Sequence, residues 1–283
     1  LWGTHAILMA TINGKRHWID TTASLAGWDM LPRNARDRQC YVIDDKSIRL
    51  IRTPPLTPEE HRFEQTTTVS ISADGTTRSH RVSHFYGLAG YHQRNRWLDV
   101  PKGERIRKER KRLRTDHSRT NVLDLKLDSA SLWDFDAPLK SEMTFEIPRR
   151  FEGAKPEASF ADARIWNYLV GYRASYDRKV ALELYAPTIT RHRYVITSCP
   201  GTEPDGLPFS KTIRSRWGTF SRKLRWGKTY RTAIIEFELR IERTRVRPEE
   251  MDEYRKFHRA VKKYHKVWLT LENVNHARNI AKL

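Results

Sequence analysis

Cysteine is scarce in this chain, with only Cys40 and Cys199 among 283 residues. Two thiols cannot build a disulfide scaffold or a cysteine-based zinc cluster. Long apolar runs are missing too, so no segment reads as a membrane-spanning helix, which needs about 18 or more such residues. There is no Gly-rich phosphate loop, no P-loop and no Gly-x-Ser-x-Gly element. Acidic charge is in deficit, with 34 Asp and Glu against 53 Lys and Arg, a net +19 and a pI near 10.1. That excess favours an anionic partner, whether nucleic acid, anionic lipid or acidic glycan, without choosing among them. What the chain does have is 38% hydrophobic residues and nine tryptophans, enough for a real core.

The pattern along the chain is mainly β. "QTTTVSISADGTTRSHRVSH" alternates and turns at Asp74-Gly75, as a hairpin does. Further alternating runs follow from Leu123, the longest being "RWGKTYRTAIIEFELRIER". Two stretches read as helical. The first is "GLAGYHQRNRWLDVPKGERIRKERKRLR", interrupted at Pro101-Lys102-Gly103. The second begins at Pro248, carries Glu249, Glu250 and Asp252 in its first turn and bases later, and repeats Met251, Tyr254, Phe257, Val261 and Tyr264 at helical spacing. The expected fold is a β-rich α+β chain, an antiparallel, sandwich-like domain with two helical segments. "TPPLTPEEH", Thr53 to His61, is a proline-rich linker that divides residues 1–52 from residues 62–283.

The segment before the linker carries the most suggestive chemistry. "THAILMATINGKRHWIDTT" places Asn13-Gly14 between two apolar-rich runs, the strongest short hairpin signal. With those two residues as the loop, Ile12 faces Lys15, Thr11 faces Arg16, Met9 faces Trp18 and Ile7 faces Asp20. His5 shares the face of Ile7, so His5 and Asp20 become diagonal neighbours, roughly 7–8 Å apart at the backbone. A register slip of one residue would separate them. A carboxylate beside an imidazole fixes its tautomer and stabilises the imidazolium, which is the base and orienter half of a nucleophilic triad. The other reading is an ordinary hairpin with a surface His and Asp.

These residues resemble the His and Asp strands of the transglutaminase-like (papain-like cysteine) superfamily, and in particular bacterial proteins with a transglutaminase core flanked by β-rich domains of unknown function. His5, Asn13-Gly14-Lys15 and Trp18-Ile19-Asp20-Thr21-Thr22 carry the likeness, with Thr21 standing where the family usually has proline. "MLPRNARDRQCYVIDD", "TVSISADGTTRSHRVSHFYGLAGYHQRNR" and "IERTRVRPEEMDEYRKFHRAVKKYHKVWLTL" continue it in order and spacing. The resemblance implies a Cys-His-Asp site in which His5 is general base and acid, Asp20 orients it and Trp18 packs beside it. It implies no metal or organic cofactor, a peptide or protein substrate, and a cell-envelope or secreted location. The family's cysteine precedes its histidine strand, whereas Cys40 and Cys199 both follow His5 and read as structural thiols, one in a strand and one before a Pro200-Gly201 turn. The chain therefore reads as the C-terminal part of a longer protein, inactive alone, whose residues 1–52 are the last strands of a transglutaminase-like core and whose residues 62–283 are an accessory domain.

The alternative is a β-rich binding or scaffold domain without catalysis, its basic surface holding an anionic envelope polymer, a membrane surface or, less favoured, nucleic acid. "RIRKERKRLR" (Arg105–Arg114) is the densest charge run, but no docking motif or stacking aromatics flank it. It reads as a solvated amphipathic helix whose Ile106 and Leu113 touch the sheet. His80 with His84, and His258 with His265, lack a third ligand for a metal. Trp133, Trp166, Trp217 and Trp226 read as core packing more readily than as a carbohydrate platform.

Overall fold

The computed structural model describes residues 5–115, 117–127, 130–153, 156–170, 178–206 and 208–273. The N-terminal part holds two small antiparallel hairpins, β1 (Leu8–Ile12) with β2 (Lys15–Ile19), and β3 (Gln39–Ile43) with β4 (Ile48–Arg52). Asn13 and Gly14 both take positive φ, 50° and 75°, as a two-residue type I′ turn requires. The register pairs Ile12 with Lys15, Thr11 with Arg16 and Met9 with Trp18. Trp18, Leu31 and Ala35 form a small buried cluster, with Ile7, Met9, Cys40 and Ile51 packed against it. The proline-rich stretch that follows is tied down. Thr53 N–H donates to the Arg38 carbonyl at 2.9 Å, the Arg36 guanidinium meets Glu60 at 2.9 Å, and Leu56 packs with Leu88 and Ala186.

From His61 the chain builds its main sheet. β5 (His61–Ile71) and β6 (Thr77–Gly87) turn at Asp74-Gly75. Gly75 has φ 77°, and a Cβ there would lie 1.7 Å from the Phe151 carbonyl oxygen, so only glycine closes this turn. α1 (Leu88–Trp97) and α2 (Lys102–Leu113) follow, broken at Pro101, then β7 (Asn121–Lys126) and β8 (Leu139–Ile147). β9 (Glu157–Ala161) runs into one turn of α-helix, α3 (Ala163–Ile165), which widens into a π-helical turn to Val170. Next come β10 (Leu182–Glu183), β11 (Thr188–Thr197), β12 (Thr202–Asp205), β13 (Phe209–Ser215), β14 (Gly218–Trp226), β15 (Thr232–Ile241) and β16 (Arg245–Val246). α4 (Met251–Tyr264) and β17 (Lys266–Asn273) close the described part.

Eight strands make one sheet in the order β13-β14-β15-β11-β5-β6-β8-β7. All neighbours are antiparallel except β5 and β11, which run parallel, so the sheet is mixed where uniform antiparallel pairing was expected. Residues 72–187 separate these two strands. No tight turn dictates their relative direction, and a long crossover permits parallel pairing. One face is solvated and laced with ion pairs, such as Arg191 with Glu64 (2.9 Å) and with Glu238 (3.2 Å). The other face is covered. Over β11, β14 and β15 it joins a core shared with the three-stranded sheet β12-β17-β9 and α4, in which Phe160, Trp217, Phe220, Phe237 and Tyr254 are almost wholly buried. The buried residues of α4, Met251, Tyr254, Phe257 and Val261, are those its spacing predicts, and Tyr264 packs at the edge of the same core. The result is strand-rich and layered, and among the described residues the strands form no closed barrel.

Over β6 and β8 the cover is α1 and α2. Ile106 and Leu113 meet Val122, Met143 and Phe145, as expected for the charge run. The expectation of a solvated helix misses the rest of that inner face. Arg105 is buried and donates to the Val100 and Leu127 carbonyls at 3.1 Å. Glu109 is buried between Arg96 and Arg112. Trp217 is in the core, Trp226 packs against it, and Trp133 is 60% exposed; the Trp166 side chain lies outside the described ones.

Candidate functional site

The turn at Asn13-Gly14 brings His5 and Asp20 together. His5 Nε2 lies 2.8 Å from Asp20 Oδ2. The other carboxylate oxygen, Oδ1, accepts from the Thr22 backbone N–H (3.0 Å) and from the Thr22 hydroxyl (2.6 Å). The Asp20 side chain is 2% exposed and that of His5 34%. Desolvation alone would raise the Asp20 pKa, but the Thr22 and His5 bonds outweigh it and hold the carboxyl below its ordinary range. As an ionised carboxylate Asp20 only accepts, so His5 Nε2 carries the proton it donates. In that tautomer Nδ1 is the nitrogen whose lone pair is left to accept a proton. The pair is thus arranged as a base with its orienter, the base atom being Nδ1.

A second carboxylate, Asp29, supports the same hairpin and was not read from the sequence. It sits at φ 59°, accepts the Trp18 backbone N–H at 2.9 Å and lies 3.3 Å from His17 Nδ1. Its only sequence signal is "GWD" after a loop, a pattern too common to single out. No thiol completes the His5 pair among the described residues. Cys40 is half-buried in the Trp18 cluster, and burial pushes its thiol pKa up, opposite to the need of a nucleophile. Cys199 lies 3.2 Å from the Thr202 hydroxyl in a turn, and both cysteines are free. Among the described residues no three His, Cys, Asp or Glu come close enough to hold a metal ion.

A different concentration of chemistry lies on the covered face of the main sheet. A cavity of about 920 Å³ is floored by β5, β6, β8 and β11 and walled by α1, α2 and the β9–α3 segment. His5 and Asp20 do not line it. Alternation along the strands puts small polar residues and one cation on this inner face: Gln65 and Thr67 on β5, and Ser79, Arg81 and Ser83 on β6. The Gln65 amide N–H donates to His192 Nε2 at 2.6 Å, Thr67 Oγ1 lies 3.0 Å from the same atom, and the His192 ring packs at a tilt against Tyr194, their centroids 3.9 Å apart. Burial first, and then Arg81 and Arg164, hold the His192 pKa far below its usual value, so this imidazole is neutral. The sequence pattern "TTTVSI…SHRVSH" was legible as a hairpin, but nothing in it showed that its polar phase faces inward.

Three comparisons bear on these features. Residues 159–271 match the model of a domain of unknown function with a solved structure (DUF3858). No curated protein matches the chain. A solved structure from Parabacteroides distasonis, described as that of a candidate protease, is similar with a TM-score of 0.41 and 11% identity over 93% of this chain and 35% of that one. The chain thus spans about a third of the length of that protein.

Proposed function

We propose that this chain supplies the base and its orienting carboxylate to a cysteine-dependent acyl-transfer site of the transglutaminase-like kind. The observation that carries the reading is the 2.8 Å contact between His5 Nε2 and a buried Asp20 oxygen. The thiol comes from outside these 283 residues. In the reaction His5 Nδ1 takes the thiol proton, and the thiolate sulfur bonds to the carbonyl carbon of a peptide or glutamine amide. The C–N bond breaks, and His5 returns the proton to the leaving nitrogen. A thioester results, which water or an amine then opens. Asp20 holds the ring orientation and stabilises the imidazolium throughout.

The test uses the natural gene product that contains this chain, assayed for amide hydrolysis or amine exchange. His5→Gln should lower turnover by roughly a thousandfold or more, and Asp20→Asn by a comparable order, as for other orienting carboxylates. Cys40→Ala and Cys199→Ala should leave turnover unchanged. Full activity in His5→Gln overturns the reading. The net charge of +19 favours a second role for the accessory part, holding an anionic polymer or surface. Retention on heparin that falls steeply with salt supports it, and retention indifferent to salt does not.

A further inference from the structure

The covered cavity holds more positive charge than its own residues neutralise. Arg81, Arg150 and Arg164 all line it. By accessible surface each of the three residues is half-buried, and the Nε atoms of Arg81 and Arg150 are wholly covered. This burial holds each guanidinium below its ordinary pKa, Arg150 at about 10. Arg81 also presses electrostatically on both of the others. The carboxylate placed among them is Asp162, which accepts the Arg164 backbone N–H at 2.8 Å. Burial raises its pKa despite Arg164 and Arg81 nearby, which weakens it as a counter-charge. The cavity's other carboxylate, Glu109, is already engaged by Arg96 and Arg112.

The three guanidinium groups are braced against aromatic rings. Arg81 lies 4.8 Å from the Phe145 centroid, Arg150 4.3 Å from Phe160 and Arg164 3.4 Å from Phe63. A cation–π contact braces the guanidinium over the ring and leaves its N–H groups to donate. Arg150 gives one to the Ser159 carbonyl at 2.7 Å. The Nε atoms of Arg81 and Arg150 and the Oδ2 of Asp162 are buried without a hydrogen-bond partner in the protein. Among the described residues, no hydrogen bond or ion pair holds the Arg81 side chain. Burying cations without matching anions is costly. Arginines braced in this way and lining one cavity of ligand size are suited to recognising carboxylate or phosphate.

We infer that this cavity is a binding site for a small organic oxyanion carrying two or more negative charges, held by Arg81, Arg150 and Arg164. The ligand's oxygens take the edge donors of the guanidinium groups, with the Ser79 and Ser83 hydroxyls on the floor beside them. Nothing in this site depends on His5 or Asp20.

Citrate, AMP and inorganic phosphate serve as probes, titrated calorimetrically into the whole chain at low salt. Citrate separates carboxylate from phosphate recognition, and phosphate alone separates the anion from its organic body. At least one organic probe should bind one-to-one with a Kd below about 1 mM. Arg81→Gln should weaken it at least about tenfold, and Arg193→Gln, on the solvated face of the same sheet, should not. Should Arg81→Gln fail to fold, an arginine-directed dicarbonyl on the unaltered protein replaces it. The bound probe should then protect Arg81 and Arg150 from modification, read by peptide mass spectrometry. The inference is overturned if no probe binds at 10-fold that concentration, if Arg193→Gln weakens binding as much as Arg81→Gln, or if saturation leaves Arg81 and Arg150 unprotected.

Discussion

Replacing Asp20 by Asn keeps the shape of the side chain and changes one atom's chemistry. Asp20 uses both oxygens as acceptors, one from His5 Nε2 and the other from Thr22 twice. Asparagine has one acceptor oxygen and one NH₂. If that oxygen stays with Thr22, the NH₂ faces His5 Nε2 and forces the ring to carry its proton on Nδ1. If it turns to His5, two Thr22 donors lose their partner. The first arrangement leaves fewer groups unsatisfied, so the variant should flip the His5 tautomer. A charge-assisted bond of this kind contributes about 1.5–3 kcal/mol. His5 is a third exposed and solvent screens the pair from that side, so a loss of about 1 kcal/mol is expected in urea unfolding at pH 7. The sign with pH follows from the lowered Asp20 pKa. Its contribution is fully present above the ordinary carboxylate pKa near 3.8 and fades as pH falls through the lower folded value, so wild type and variant should converge in strong acid. Long-range ¹⁵N NMR of the ring reads the tautomer directly. A wild-type His5 with its proton on Nδ1, or an Asn variant with unchanged ring shifts, would refute the assignment of Nδ1 as the base.

The remaining predictions concern the scaffold. Gly75→Ala combines a left-handed φ with a Cβ driven into the Phe151 carbonyl, and should cost about 2 kcal/mol or more, seen as a lower melting temperature. Trp217→Ala empties a fully buried site that packs edge-on against Tyr254 at 5.3 Å, for a loss of about 3–5 kcal/mol in denaturant titration. His61 is buried, its Nδ1 bonded to the Pro187 carbonyl at 3.0 Å, and burial lowers its pKa from 6.5 to about 4. Between those values the unfolded chain binds the extra proton, so stability should fall by about 2 kcal/mol from pH 7 to pH 5. The slope should shrink in His61→Gln; an unchanged slope assigns the acid sensitivity elsewhere.

How much could be read in advance depended on the range of the interaction. The β1–β2 register followed from two residues, because a type I′ turn admits only one pairing and side chains alternate strictly with it. The same local logic located α1, α2 and α4, through Pro101, Pro248 and the spacing of Met251, Tyr254 and Phe257. It failed at β5 and β11. Their parallel pairing joins residues far apart in sequence, and alternation within a strand says nothing about the direction of its neighbour. It failed again on α2, where Arg105 and Glu109 look solvated by composition. They are buried because a carbonyl cage and two arginines happen to meet them in three dimensions.

The sequence alone therefore determined the strand-rich character, the hairpin turns, the helices and the adjacency of His5 and Asp20, all of them consequences of backbone preference and short-range periodicity. Which face of each strand turns inward was decided only by tertiary structure, since period-two alternation marks two faces without saying which is covered. On β11, β14 and β15 the covered face is apolar and makes the core. On β5 and β6 the middle of the covered face is polar, and there Gln65, Thr67 and Arg81 meet His192, Asp162 and Arg164 around one cavity. Those residues come from segments that only folding brings together, and their charges shape one another's protonation only at the short range the fold creates.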